Sequence, residues 1–334
     1  MKHWTINSDE KGLDGLTFVD APMPQVGDND ILVKLQGASL NYRDLAIPTG
    51  KFPFSYKFPV VAGSDGAGEV VQVGPRVTQW KKGDRVVTLF NQAHQYGPVS
   101  PSIAATGLGG IVDGTFAQFG VYNESGVVRA PKNLNFVEAS TLTAAALTSW
   151  NALYGLRSLK PGETVLVQGT GFAKAAGAKV IATTSSARKV EILKQIGADV
   201  VINYKEDPNW GQTARKFTPG EAGVDHIIDV GGMGTLKQSL AAVKFEGIIN
   251  VIGFLAGSAD QDIPSAAHAL KSVCTIRGLY VGSRAQMEEM VAAIEANDIH
   301  PIVDPKIFTL EQAREAYEYL ATQQHVGKVC IKIE

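Results

Sequence analysis

The sequence predicts an α/β protein in two parts, a β-rich region followed by a doubly wound parallel sheet. Three observations carry this prediction. A chain of 334 residues exceeds one compact core and suits two domains. Residues 1 to about 125 read as short strands and turns. From about residue 130, buried strand-like runs alternate with helical stretches, the mark of a parallel sheet covered by helices. Hydrophobic content of 45% and charged content of 19% agree with a globular chain.

The elements follow in order. Ile31–Leu40 alternates as a strand. Residues 52–61 carry two prolines and several aromatics and read as a loop or edge. Gly63 to Val86 begins with three glycines in six residues, which let backbone approach backbone where a Cβ would collide. A strand (Ala67–Val73), a Gly74–Pro75 turn and a Lys-Gly-Asp turn into a second strand (Arg85–Leu89) complete that segment. Asn91–Gly114 is a long polar loop with the character of a lid or rim. Asn133–Leu156 is predicted as one helix. Strands follow at Thr164–Gln168, Lys179–Thr184, Val200–Asn203, His226–Val230, Gly247–Ile252 and Ser272–Leu279. Helices lie between them at Ala187–Ile196, Asn209–Lys216, Thr235–Ala242 and Ile263–Lys271. A further helix (Ser283–Asn297) and a terminal strand (Val326–Ile333) close the chain.

Net charge is −2, so no field favours nucleic acid or an anionic membrane. No apolar run is long enough to span a bilayer, and MKHWTINSDEKG lacks a signal core. Cys274 and Cys330 sit far apart in strand-like runs and are expected as buried, reduced thiols. These features together predict a cytoplasmic enzyme with no nucleic-acid or membrane partner.

The Gly63–Val86 segment resembles the GroES-like catalytic domain of medium-chain dehydrogenases/reductases. Their zinc-dependent members carry Gly-His-Glu where this chain has Gly63-Ser64-Asp65. The resemblance implies that the final segment returns to the first domain. The expected organisation is therefore a GroES-like domain of residues 1–125 and 283–334, and a Rossmann-type NADP(H)-binding domain of 126–282. It also implies a homodimer, with the edge strand Val273–Leu279 pairing with its two-fold mate.

The cofactor site is predicted where Thr164–Gln168 runs into Gly169 and Gly171. Glycine permits a tight turn and close approach of a pyrophosphate to backbone N–H groups. The third fingerprint glycine is missing, Lys174 standing in its place, and the crossover Gly169–Ala178 is short by roughly two helical turns. Either the chain carries a deletion or residues are omitted between Gly171 and Phe172, and omission is the expected explanation. A continuous chain would bind a dinucleotide less well. After the second strand come Ser185, Ser186, Arg188 and Lys189, with no carboxylate to repel a 2′-phosphate. That favours NADP(H) over NAD. The plainer alternative is a helix start capped by Ser185 or Ser186, with Arg188 and Lys189 solvated. The family resemblance places Tyr204 and Lys328 beside the 2′-phosphate, ordinary surface residues being the alternative reading for both. It places Asn41, Thr148, Gly253, Phe254, Leu279 and Val281 toward the nicotinamide end, where simple turn residues are the alternative reading.

The reaction site is expected at Asn41-Tyr42-Arg43-Asp44. Asn41 stands where zinc enzymes place a cysteine ligand, and Ser64 where they place histidine. The third ligand, expected near Thr143–Ala145, is also missing, and no metal site is predicted. Without a Lewis acid, hydride transfer favours acceptors that delocalise the developing charge, namely quinones and α,β-unsaturated carbonyls (enals or enones). The motif resembles zinc-independent quinone oxidoreductases and enoyl reductases. Tyr42 and Asn41 are the candidate catalytic residues: Asn41 orients ribose or substrate, and Tyr42 donates a hydrogen bond or proton to the enolate. Arg43 and Asp44 are expected as a structural ion pair, Asp65 as a cap of the Gly63–Gly68 turn. Phe52, Phe54, Tyr56 and Tyr96 line an apolar pocket or simply pack. The function predicted is an NADPH-dependent quinone or enone reductase. A trans-acting enoyl reductase of a polyketide pathway and a nucleotide-binding protein without turnover are the alternatives.

Overall fold

A computed structural model of the 334-residue chain describes residues 1–167, 172–255 and 264–334. The chain is continuous from Met1 to Glu334. The junction between Gly171 and Phe172, where an omission is expected, borders residues outside the described ones.

In chain order the first segment supplies β1 (Lys2–Ile6), β2 (Leu16–Asp20), β3 (Asp30–Ser39), α1 (Tyr42–Ala46), β4 (Val60–Val61), β5 (Asp65–Val73), β6 (Arg85–Thr88), α2 (Pro101–Ala104), β7 (Phe119–Asn123), β8 (Val127–Arg129) and α3 (Phe136–Ser140). The middle segment supplies α4 (Leu147–Tyr154), β9 (Thr164–Val167), α5 (Phe172–Ala175), β10 (Lys179–Thr184), α6 (Ala187–Gln195), β11 (Val200–Asn203), α7 (Trp210–Lys216), β12 (Val224–Asp229), α8 (Leu236–Ala242), β13 (Val243–Val251), α9 (Ala266–Ser272) and β14 (Thr275–Gly278). The chain ends with α10 (Arg284–Ala296), β15 (Val303–Thr309), α11 (Ala313–Ala321) and β16 (Lys328–Lys332).

Two compact units result: Met1–Leu147 with Val281–Glu334, and Thr148–Tyr280. The break falls later than residue 126 because β8 pairs with β6 and α3 packs on β3 and β5, which ties both to the first unit. The single helix expected over 133–156 is also interrupted. The Ser140 and Thr141 hydroxyls donate back to the carbonyls of Val137 (2.7 Å) and Glu138 (2.8 Å), and a π-turn follows at Leu142–Ala146. Such back-bonding competes with the helical ladder and bends it.

The first unit holds a sheet ordered β2-β1-β4 and a larger one ordered β15-β16-β3-β5-β6-β8, with β7 paired to β3. Glycine is required at two places in the segment singled out above. Gly63 has φ +80°, and a Cβ there would lie 2.3 Å from the Phe116 ring. A Cβ on Gly68 would lie 2.1 Å from the Lys34 carbonyl oxygen on the neighbouring strand.

The second unit is a six-stranded sheet ordered β11-β10-β9-β12-β13-β14, parallel throughout. Its central strands pack apolar side chains on both faces. Val165, Val167, Val180 and Ala182 pack with Ala152 and Leu153 of α4, while Leu166, Ile181 and Ile227 pack with Trp210 of α7 and Leu236 of α8. Burial on both sides explains why these strands read as continuous hydrophobic runs. Strand order reverses between β9 and β12, so the crevice at the C-terminal strand ends there is the ligand position of such sheets. The strand expected over 272–279 begins later. Ser272 closes α9, and Val273 terminates it in the left-handed conformation (φ 45°, ψ 55°).

Candidate functional site

Strand register builds the polar centre of the first unit. In β16 and β3, Cys330 lies opposite Ser39, and Ile331 opposite Ala38; continuing that register brings Lys328 opposite Asn41. In β3 and β5, Ser39 lies opposite Asp65. Three neighbouring strands thus gather Asn41, Lys328, Ser39 and Asp65 from distant parts of the sequence.

The contacts follow. Lys328 Nζ donates to the Leu40 carbonyl oxygen (2.7 Å), to Asn41 Oδ1 (2.5 Å) and to Asp65 Oδ2 (3.3 Å). Asp65 is fully buried and also accepts from Ser39 Oγ (3.0 Å) and Ser64 Oγ (2.8 Å). Asn41 Nδ2 faces Ser64 Oγ at 3.4 Å. Asp65 is therefore the buried counter-ion of Lys328 and not a cap of the glycine turn. Lys328, expected beside a 2′-phosphate, has its three N–H groups directed at acceptors within this unit. Thr143, in the region matched to a third zinc ligand, is buried with its hydroxyl 3.2 Å from that of Thr88.

Tyr42 is half-buried at the first position of α1. The helix is fixed by its own sequence: Asp44 accepts from the Asn41 backbone N–H at 2.8 Å, closing the first turn. Arg43 pairs with Asp44 at 2.9 Å, and its guanidinium lies over the rings of Phe52 (5.3 Å) and Phe90 (5.1 Å). Burial pushes the Asp44 carboxyl above the usual carboxylate range, and Arg43 only partly opposes this. Phe52, Phe54 and Tyr56 form a ring cluster, and the Tyr56 hydroxyl donates to Asp9 at 2.6 Å. Tyr96 is largely exposed. Burial pushes the Cys330 thiol up to about 12, which leaves it unreactive.

The second unit brings several of the expected cofactor residues to the C-terminal ends of its strands. Thr184, the last residue of β10, lies opposite Asn203 of β11, and the Tyr204 backbone N–H donates to the Thr184 carbonyl oxygen at 3.0 Å. Tyr204 is therefore brought beside Ser185 and Ser186. Ser186 N–H donates to Thr184 Oγ1 (3.2 Å), Arg188 is exposed, and Lys189 is half-buried on α6. No carboxylate stands between Thr184 and Lys189. Gly253 and Phe254 follow β13, and a Cβ on Gly253 would lie 2.3 Å from the Val230 carbonyl oxygen. Leu279 follows β14, and its N–H donates to the Val251 carbonyl oxygen at 3.2 Å. Thr148 is half-buried in α4. Val281 is buried in the first unit with φ 51°. Gly169 and Gly171 lie outside the described residues.

One cavity of about 330 Å³ opens at the opposite, N-terminal ends of β9 and β12, lined by Lys160, Glu163, Thr164, Asp225 and Lys244. Asp225 is paired with Lys244 at 2.9 Å, and the cavity is remote from the strand ends where such sheets bind nucleotides. Sequence reasoning missed the pairing of Lys328 with Asp65. The available signal was a lysine sharing a strand face with Cys330 in an apolar run, since a lysine so placed needs a partner.

Comparison with known proteins agrees with this architecture. Residues 27–132 match the family model of the alcohol dehydrogenase GroES-like domain, and residues 167–296 that of the zinc-binding dehydrogenase. A zinc-type alcohol dehydrogenase-like protein of Schizosaccharomyces pombe is 43% identical over 344 residues, covering 99% of each chain. A quinone oxidoreductase-like protein 2 homolog of Nematostella vectensis is 27% identical, over 92% of this chain and 82% of its own. The crystal structure of an NAD-dependent alcohol dehydrogenase superposes with a TM-score of 0.88 at 29% identity, over all of both chains. With a GroES-like unit formed by both ends of the chain and a nucleotide-binding parallel sheet between them, the protein belongs to the medium-chain dehydrogenase/reductase superfamily of oxidoreductases.

Proposed function

We propose that the protein is an NADPH-dependent, zinc-independent reductase of quinones or of the activated C=C bonds of enals and enones. The observation that carries this reading is the ammonium of Lys328, 2.5 Å from Asn41 Oδ1 and 3.3 Å from Asp65 Oδ2. Relatives bear zinc in their names, so the fit of a zinc ion has to be weighed. A divalent cation beside Asn41 would lie against that ammonium, and the groups at hand are an amide and hydroxyls in place of thiolate and imidazole. Among the described residues no group of three His, Cys, Asp or Glu side chains is placed to hold a metal. The residues do not fit zinc, and no step is derived through it.

The strand ends of the second unit suit a dinucleotide. Ser185, Ser186, Arg188, Lys189 and Tyr204 would hold a 2′-phosphorylated ribose, and Gly253, Phe254 and Leu279 would border the ring through backbone groups. The bound cofactor supplies a hydride. The chain's own residues meet the charge that then builds on the acceptor's oxygen. The Asn41 amide and the Tyr42 hydroxyl donate hydrogen bonds to it, and conjugation spreads the remainder. The edge position of β14 also suits pairing with a second copy, for which light scattering is the check.

The test is titration with NADPH, then turnover with a 2-enal and a quinone. Oxidation of NADPH, insensitive to chelators and slowed by Tyr42→Phe more than binding is weakened, is the expected result. Chelator-sensitive oxidation of simple alcohols overturns the reading. A second reading, nucleotide binding without turnover, is favoured by the four-residue α5, and binding without NADPH oxidation is its signature.

A further inference from the structure

We propose that Lys328 is a positioning residue that sets the Asn41 carboxamide in its working orientation, with Oδ1 held inward and Nδ2 presented to the acceptor's carbonyl oxygen. The proposal rests on the reductase reading above.

The orientation follows from chemistry. A lysine ammonium has three donors and no acceptor, so the Asn41 atom 2.5 Å from it is the carbonyl oxygen and the NH₂ group faces away. The ammonium is itself fixed. It donates to the Leu40 carbonyl oxygen at 2.7 Å and to buried Asp65, while the register of β16 on β3 sets its approach. Holding a positive charge against Oδ1 polarises the amide and strengthens its N–H donors.

The other end of the amide is loosely engaged. Nδ2 has one contact, Ser64 Oγ at 3.4 Å, and that hydroxyl is already directed at Asp65 Oδ1 at 2.8 Å. No other acceptor for Nδ2 is found among the described residues, and Asn41 is half-buried, so a ligand can reach it. An N–H pre-set toward a developing oxyanion requires no reorganisation at the moment of reaction. The lysine acts through the amide, since its own N–H groups are occupied.

Lys328→Met, Lys328→Arg, Asn41→Leu and the Asn41→Leu/Lys328→Met pair test this. The side-chain amide signal of Asn41 in an ¹H–¹⁵N spectrum of the protein without cofactor is expected to shift in Lys328→Met. kcat should fall about tenfold while the NADPH Kd stays within about twofold, a share of the 10²–10³ that a full oxyanion donor supplies. Lys328→Arg should restore part of kcat, and Lys328→Met should add no further loss on the Asn41→Leu background. If Lys328→Met does not fold, the Asp65→Asn/Lys328→Met pair removes both buried charges and is read in the same way.

An unmoved Asn41 signal, or a kcat unchanged while the NADPH Kd rises, overturns the proposal and makes Lys328 a cofactor contact. Additive losses in the double variant overturn it as well. If no acceptor is turned over by the unaltered protein, the reductase reading fails, and the assignment of Lys328 to Asn41 is then judged by the amide signal.

Discussion

Removing the carboxylate of Asp65 should expose how far the first unit depends on one buried charge pair. Asp65 is fully buried and accepts from Ser39 Oγ, Ser64 Oγ and Lys328 Nζ at 3.0, 2.8 and 3.3 Å. In Asp65→Ala the Ser39 hydroxyl retains an acceptor by rotating, its Oγ lying 3.5 Å from the Ser140 carbonyl oxygen. The ammonium has no such freedom. Breaking a buried pair by deleting one partner costs about 3–5 kcal/mol. Lys328 keeps two neutral acceptors and 17% of its side-chain exposure, so the expected loss is at the lower end, about 3 kcal/mol. Deleting both charges in Asp65→Ala/Lys328→Met leaves no unpaired buried charge, only lost packing and lost neutral hydrogen bonds, about 1–2 kcal/mol. The double variant should therefore be more stable than the single one. Urea unfolding followed by fluorescence reads this, with Trp4 and Trp80 in the first unit and Trp150 and Trp210 in the second. Because two units need not unfold together, amide exchange in β3, β5 and β16 assigns the transition. A single variant that loses under about 1 kcal/mol, or a double variant less stable than the single, refutes the charge-pair account.

Other consequences are independent of that cluster. Val273→Gly should stabilise the second unit by about 1 kcal/mol, seen as a higher thermal midpoint, because an exposed β-branched residue is held there at φ 45°. Arg188→Ala/Lys189→Ala should weaken NADPH about tenfold and NADH little, with a shallower salt dependence of the NADPH Kd by calorimetry. His226 is fully buried in β12, and burial holds its imidazole below the ordinary range, with Arg157 adding to the effect. Its folded pKa lies below the unfolded one, so the unfolded chain takes up the proton first. Stability is then present above about pH 6.5 and declines as pH falls below it. His226→Leu should flatten the fall in thermal midpoint between pH 7 and pH 5; an unchanged slope counts against this assignment.

The second sheet was legible in the sequence for a physical reason. Strands buried on both faces, such as β9 and the middle of β10 and β12, carry runs of apolar residues, and the helices between them show their own period. The Arg43–Asp44 pair was legible because its partners adjoin and its helix carries its own cap. Less could be read where tertiary contacts decide. Residues 272–274 have the composition of a strand, yet they close α9, because the chain must turn before pairing with β13. β15 and α11 were missed, the first being apolar mainly at its ends. The identity of Lys328 as the partner of Asn41 was invisible, since 287 residues separate them and only the β16-on-β3 register joins them. A lysine in a strand is ambiguous until its neighbours across the sheet are known.

The same dependence on neighbours bears on how a dinucleotide would be held. The crossover from β9 to β10 occupies residues 168–178, and its helix α5 has four residues. The described part of that helix sums few peptide dipoles, so little attraction for a pyrophosphate is expected from it. The S. pombe relative aligns over 344 residues against the 334 here, so this chain lacks about ten positions that the relative has. On the proposed reading, binding leans on side chains at the neighbouring strand ends, where Ser185, Ser186, Arg188 and Lys189 follow β10 and Tyr204 follows β11. Cations near the surface are screened by salt, whereas backbone N–H groups at a long helix start are less so. A dinucleotide held mainly by Arg188 and Lys189 should therefore lose affinity steeply with ionic strength and should discriminate strongly for the extra phosphate. If NADPH binding proves insensitive to salt, the backbone after β9 carries the affinity despite its length, and the case for a phosphorylated cofactor built on those two cations falls with it.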